Sequence, residues 1–176
     1  MNNWFVITDI ELLDSPVMVV YPDRVEKNIV TLIGMVDDVA RLRPHVKTHK
    51  NPEVTKRLLA AGITKFKCAT IAEAEMLAQC GAPDILLAYQ PAGPKITRLI
   101  SLIRLYPRIT FGCLTDHVTS ATQINDVASR SGVVINVYVD LNVGMNRTGI
   151  APGKEALSLY QLCARCTNLK VIGLHA

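Results

Sequence analysis

The segment Arg43-Pro44-His45-Val46-Lys47-Thr48-His49-Lys50 sets two amines and two imidazoles in one short stretch. It reads as a strand about to hand over to a helix. That would present Lys47 at the mouth of an α/β scaffold, where a lysine amine can hold a carbonyl cofactor as a Schiff base. The plainer alternative is a solvated surface lysine, because Lys is seldom buried unless paired. A second candidate is Asp140-Leu141-Asn142-Val143-Gly144-Met145-Asn146-Arg147-Thr148-Gly149, where two glycines bracket an arginine after a buried strand. Such a turn can aim the Arg147 guanidinium into the same mouth, to bind an oxyanion or phenolate as a charged donor. A structural loop with Arg147 paired to Asp140 fits the spacing equally well.

Other groups are weaker. His45 and His49 lie four apart, a one-face spacing only on a helix, and Pro44 argues against a helix there, so a role other than metal binding is favoured. Cys163 and Cys166 fall late in an amphipathic helix with no second pair to complete a zinc site, which favours structural thiols. Tyr89 and His175 each end an apolar strand and could reach the same mouth, although most such tyrosines cap a core.

The elements that must position these residues alternate along the chain. Pro16 to Tyr21 is apolar, β-branched and too short for a helix, which predicts a buried strand. Pro22 and Asp23 open a helix with Ile29, Leu32, Ile33, Val36 and Ala40 on one face, closed by Pro44. A strand at His45 to Thr48 precedes Asn51-Pro52-Glu53, which starts a helix ending at Gly62. Then follow strand Lys65 to Ala69, a Thr70-x-x-Glu73 capping box opening a helix that stops near Gly81, and strand Ile85 to Ala88. A helix from Pro94 to Leu105, a strand Ile109 to Cys113, a helix from Asp116 to Ser129 and a strand Val133 to Asp140 continue the series. Helix Gly153 to Cys166 and strand Val171 to Leu174 complete it.

Strands separated by single helices imply parallel pairing with right-handed crossovers, in an open sheet or a (β/α)8 TIM barrel. No Gly-x-Gly-x-x-Gly turn follows the first strand, which favours the barrel. Six of its eight strands would lie between His45 and the C-terminus. The chain also stops at an apolar strand with nothing to cover a parallel edge, so the expectation is the front part of a longer protein.

Composition sets outer limits. With 176 residues, 49% of them apolar, one domain with a substantial core is expected. The net charge of +4 is modest and its cations are scattered, which argues against nucleic-acid or membrane partners. Five cysteines without framework spacing, and no signal-like segment, point to a cytoplasmic setting.

The two motifs at 43–50 and 140–149, with Ala69-Thr70-Ile71-Ala72-Glu73-Ala74-Glu75 and Asp84-Ile85-Leu86-Leu87-Ala88-Tyr89, resemble the alanine-racemase-like (fold-type III) enzymes that use pyridoxal 5′-phosphate. The closer resemblance is to their D-threonine aldolase and D-serine dehydratase branch. It implies a TIM barrel joined to a C-terminal β domain absent from this chain. Residues 1–21 would be a strand packing with that domain, and 22–176 a partial cofactor-binding barrel. Lys47 matches the Schiff-base lysine, and Arg147 the arginine near the cofactor's phenolic oxygen. The resemblance also implies Asn142 as a cofactor contact, at a position often aspartate in the racemases, where the position of Asp140 is often a modified lysine. Both departures argue against plain racemisation. The implied activity is aldol cleavage or dehydration of a β-hydroxy D-amino acid, in a full-length homodimer helped by manganese or zinc whose ligands lie beyond Ala176. An amino-acid racemase and a non-catalytic cofactor carrier are the alternatives.

Overall fold

The computed structural model describes residues 3–176; residues 1 and 2 of the expected 1–21 segment lie outside the described residues. Five strands, β1 (Lys65–Cys68), β2 (Asp84–Leu87), β3 (Thr110–Thr115), β4 (Ile135–Asp140) and β5 (Leu169–His175), form one parallel sheet in the order β1-β2-β3-β4-β5. Helices α1 (Pro22–Gly34) and α2 (Pro52–Ala60) precede it. Helices α3 (Ile71–Gln79), α4 (Pro94–Leu105), α5 (Val118–Arg130) and α6 (Lys154–Arg165) each join two neighbouring strands. An open, doubly wound sheet reverses its strand order, because its helices cover both faces. Here every step goes the same way, so right-handed crossovers put the connecting helices on one face, as in a TIM-type barrel.

The core lies between that face and the helices. Phe66, Cys68, Ile85, Leu87, Phe111, Cys113, Val137 and Val139 meet Leu77, Leu99, Ile124 and Leu159 there. Residues paired across the ladders share a face, so Lys67, Leu86, Gly112 and Asn136 line the opposite, concave side. The cysteines are free, and burial pushes the Cys68 and Cys113 thiols up to about 12 and Cys163 to about 11. That keeps them protonated and inert. Among the described residues no helix is long and apolar enough to cross a membrane.

Local chemistry explains most boundaries. Asn51 Oδ1 accepts the Glu53 and Val54 N–H groups at 2.8 and 3.2 Å, and Pro52 takes the first turn of α2, where no N–H is needed. Gly62, at φ 89°, lets the chain reverse after it.

Two expectations need correction. The first helix ends at Gly34 rather than continuing to Ala40, because Asp38 Oδ1 takes the Ala40 N–H at 2.8 Å and winds a separate 3-10 turn, Val39–Arg41. Of six expected strands the first is reduced to a single bridge, His45 to Lys67, followed by a 3-10 turn, Val46–Thr48. Pro44 can only accept, from Lys67 N–H at 2.8 Å, and His45 Nδ1 draws the Lys47 N–H inward at 3.2 Å, so the ladder stops. Pro16 to Tyr21, expected to pack with a further domain, forms no ladder among the described residues, and Val17, Met18, Val19 and Val20 are exposed. The three valines favour extended backbone, yet a strand also needs a partner's row of polar groups.

Candidate active site

Lys47 stands in the middle of the Val46–Thr48 turn with its side chain exposed. The turn is held from below. Val46 is fully buried, and the Lys50 ammonium donates to the Lys47 carbonyl at 3.1 Å and to Glu73 Oε1 at 2.5 Å. Glu73 Oε2 accepts the Ala69 N–H at 2.7 Å, tying the end of β1 to the same carboxylate. The expected capping box is thus half formed: Thr70 Oγ1 accepts the Glu73 N–H at 3.1 Å, while the glutamate turns to Ala69 and Lys50.

Burial pushes the Glu73 carboxyl up, but the hydrogen bonds from Lys50 and Ala69 and the Lys50 charge outweigh it, leaving it below its ordinary 4.5. A carboxylate with a depressed pKa stabilises the fold above its ordinary pKa and loses that contribution as pH falls through the lowered value. Glu73→Gln is therefore expected to be less stable by about 1 to 2 kcal/mol at pH 7, after allowance for the exposed Lys50. Urea denaturation across pH checks this, and the gap between the two proteins should close as pH drops below 4.5. A gap that does not change with pH across the acid range would point to packing instead of charge.

His45 is held below 6.5 by burial first and then by the charges of Lys47, Lys67 and Lys50, with Glu73 acting the other way. A neutral imidazole suits its geometry, since Nδ1 must keep a lone pair to accept the Lys47 N–H. His49 Nδ1 likewise accepts the Asn51 N–H at 3.1 Å. Both imidazoles therefore serve the local backbone.

The second motif follows β4 as a loop. Leu141 bridges Ile150, the Asn142 N–H donates to the Ile150 carbonyl at 2.9 Å, and the Ile150 N–H to Asp140 at 2.9 Å. Asn142 Oδ1 accepts from the Gly144 and Asn146 N–H groups at 3.1 and 3.0 Å, and its amide nitrogen donates to Asn146 Oδ1 at 3.0 Å. Gly149 closes the loop at φ 94°. A Cβ there would sit 2.5 Å from both Asn142 N and Leu141 C, so only glycine lets the two ends approach. Arg147 is exposed on this loop.

The structure brings Lys47, Asn142 and Arg147 to the wall of one cavity of about 450 Å³, open at the C-terminal ends of all five strands. His45, Lys67, Tyr89, Asp140 and His175 line it too. Asp140 does not pair with Arg147. It is 3% exposed, and its Oδ1 lies 2.6 Å from His175 Nδ1, while His175 Nε2 lies 2.9 Å from Lys67 Nζ. Tyr89 takes a hydrogen bond from Lys95 at 2.9 Å.

Lys67 and its link to His175 are absent from the sequence reading, although a signal existed. In Lys65-Phe66-Lys67-Cys68 the alternation puts charge on the concave face of a strand expected to be buried. The link to β5 was not readable, because it depends on a register shift. Val137 pairs with Val171 but Tyr138 with Gly173, and this one-residue slip sets His175, not Leu174, opposite Asp140.

The chain is similar in sequence and fold to known proteins. The family model described as alanine racemase, N-terminal domain, covers residues 20–176. A D-threonine aldolase of Arthrobacter sp is 30% identical over 166 residues, 93% of this chain and 43% of that protein. A D-threo-3-hydroxyaspartate dehydratase of Delftia sp. (strain HT23) is 30% identical over 152 residues, 84% of this chain and 38% of that one. The crystal structure of D-threonine aldolase from Filomicrobium marinum superposes with a TM-score of 0.81 at 30% identity, covering 92% of this chain and 43% of that one. The chain thus spans less than half the length of these relatives.

Proposed function

Since the chain belongs to the alanine racemase N-terminal domain family, we propose that it carries the pyridoxal 5′-phosphate site of a lyase acting on β-hydroxy D-amino acids, with Lys47 as the cofactor lysine. The observation that carries this reading is the convergence of Lys47 and Arg147 on one cavity at the strand ends, in a chain similar to an aldolase and a dehydratase of such substrates.

The lining suits an anionic, carbonyl-bearing group. Lys47, Lys67 and Arg147 bring three cationic side chains, while Asp140, the one carboxylate side chain of the wall among the described residues, is engaged with His175. When bound, the cofactor supplies an electron sink for bond breaking next to the amino-acid nitrogen. The chain's residues do the rest. Lys47 offers its amine at a fixed place, because Lys50 and Glu73 hold its turn and Val46 anchors it in the core. Arg147 would hold the cofactor's phenolic oxygen as a charge-assisted donor. Asn142 shapes the loop that carries Arg147 and forms part of the wall. Manganese or zinc is proposed as a second cofactor, as the resemblance implies, with its ligands beyond Ala176; no group of three possible ligands converges among the described residues.

Arg147→Ala should keep cofactor capture yet lose turnover by about 10- to 150-fold, the value of one charge-assisted contact of about 1.5 to 3 kcal/mol. Steady-state kinetics with D-threonine and D-serine, following aldehyde and ammonia, tests both the variant and the reaction class. Unchanged kinetics would take Arg147 out of the site, and racemised substrate with neither product would overturn the lyase reading.

A further inference from the structure

The concave face carries a connected chain of titratable groups: Lys67 on β1, His175 on β5 and Asp140 at the end of β4, where the second motif begins. We propose that Lys67, oriented by His175 and Asp140, is a further acid–base residue of this site, exchanging a proton at Nζ with the side-chain oxygen of a bound β-hydroxy amino acid. The inference rests on the function proposed above.

The hydrogen-bond geometry supports it in two steps. Asp140 Oδ1, 2.6 Å from His175 Nδ1, fixes the ring hydrogen on Nδ1 and leaves Nε2 with a lone pair. Nε2 then accepts from Lys67 Nζ at 2.9 Å. An ammonium makes this bond with one N–H and keeps two for the cavity. A neutral amine makes the same bond and keeps a lone pair. Lys67 can therefore gain and lose a proton without leaving its anchor, and a neutral imidazole does not hold the proton on Nζ as an adjacent carboxylate charge would.

In carbon–carbon cleavage the substrate's O–H bond breaks as an N–H bond forms on Nζ, the oxygen's electron pair makes the aldehyde C=O, the Cα–Cβ pair stays on Cα, and a proton returned through water then bonds to Cα. In dehydration the Cα–H proton passes to the Lys47 amine, its electron pair forms the Cα=Cβ bond, the Cβ–O bond breaks, and an N–H bond of Lys67 breaks as an O–H bond forms on the departing oxygen, which leaves as water. The groups facing Lys67 suit this exchange. Burial, then Lys47 and Arg43, lower its pKa from 10.5, and Asp140 opposes them. A proton donor or acceptor works best when its pKa lies nearer the working pH.

The first test needs no cofactor. Competitive acylation of the purified chain across pH, read by mass spectrometry, should show Lys67 titrating below the ordinary lysine range, and lower still in Asp140→Asn. A Lys67 that titrates as an ordinary lysine, or does not respond to Asp140→Asn, overturns the proposal. The second test separates proton transfer from charge. Lys67→Met should keep cofactor on Lys47 but lose about 100-fold or more in kcat, and Lys67→Arg, which keeps the charge and cannot release a proton, should not restore it. Recovery by arginine also overturns the proposal. Failure to capture cofactor on Lys47 in the unaltered protein would instead strike the function proposed above, and the acylation experiment would still decide the state of Lys67.

Discussion

Lys47→Ala should abolish cofactor capture and lower turnover of D-threonine or D-serine by about 10⁴- to 10⁶-fold, the scale on which an enzyme fails without its nucleophile. The fold should survive. Lys47 is exposed, and its structural bonds run through its backbone, the N–H to His45 and the carbonyl from Lys50, which alanine keeps. Equal melting curves with lost absorbance of the bound cofactor are therefore expected. An active Lys47→Ala protein would move the chemistry to another amine of the cavity.

The largest structural effect is expected at Gly149. Alanine there would place Cβ 2.5 Å from Asn142 N and Leu141 C and 2.9 Å from the Leu141 carbonyl, all backbone atoms that cannot rotate away. The left-handed backbone at φ 94° adds strain for any side chain. Together these should cost about 3 kcal/mol or more in urea denaturation, in the range of severe overpacking. The Gly149 N–H also donates to Asp116 Oδ2 at 2.9 Å, so the displaced loop loses its tie to the end of β3 and misplaces Arg147. Turnover should fall along with stability. A Gly149→Ala protein of unchanged stability would show that the loop closes differently from the geometry described.

What the residues disclosed beforehand depended on how local the cause was. The start of α2 at Asn51-Pro52 and the span of α4, Pro94–Leu105, follow from caps and first-turn prolines within a few residues. The alternation of helices and strands implied a parallel sheet, but only the observed strand order excludes an open, doubly wound one. The strand expected at His45 failed because two short contacts, from Lys67 and from the His45 ring, outweighed β-propensity over a few residues. That Lys47 and Arg147 face one cavity was anticipated because each lies in a distinctive segment, Lys47 just after the His45 bridge and Arg147 in the loop after β4. Lys67, Asp140 and His175 lie 108 and 35 residues apart along the two links that join them. They meet only through sheet order and a register shift, which no single segment encodes.

The most direct test of the central claim is to incubate the protein with pyridoxal 5′-phosphate, reduce it with borohydride and map the modified lysine by peptide mass spectrometry. The account predicts one stoichiometric label on Lys47, with Lys50 and Lys67 unmodified. A label on Lys67, or one spread over the exposed lysines, would contradict it.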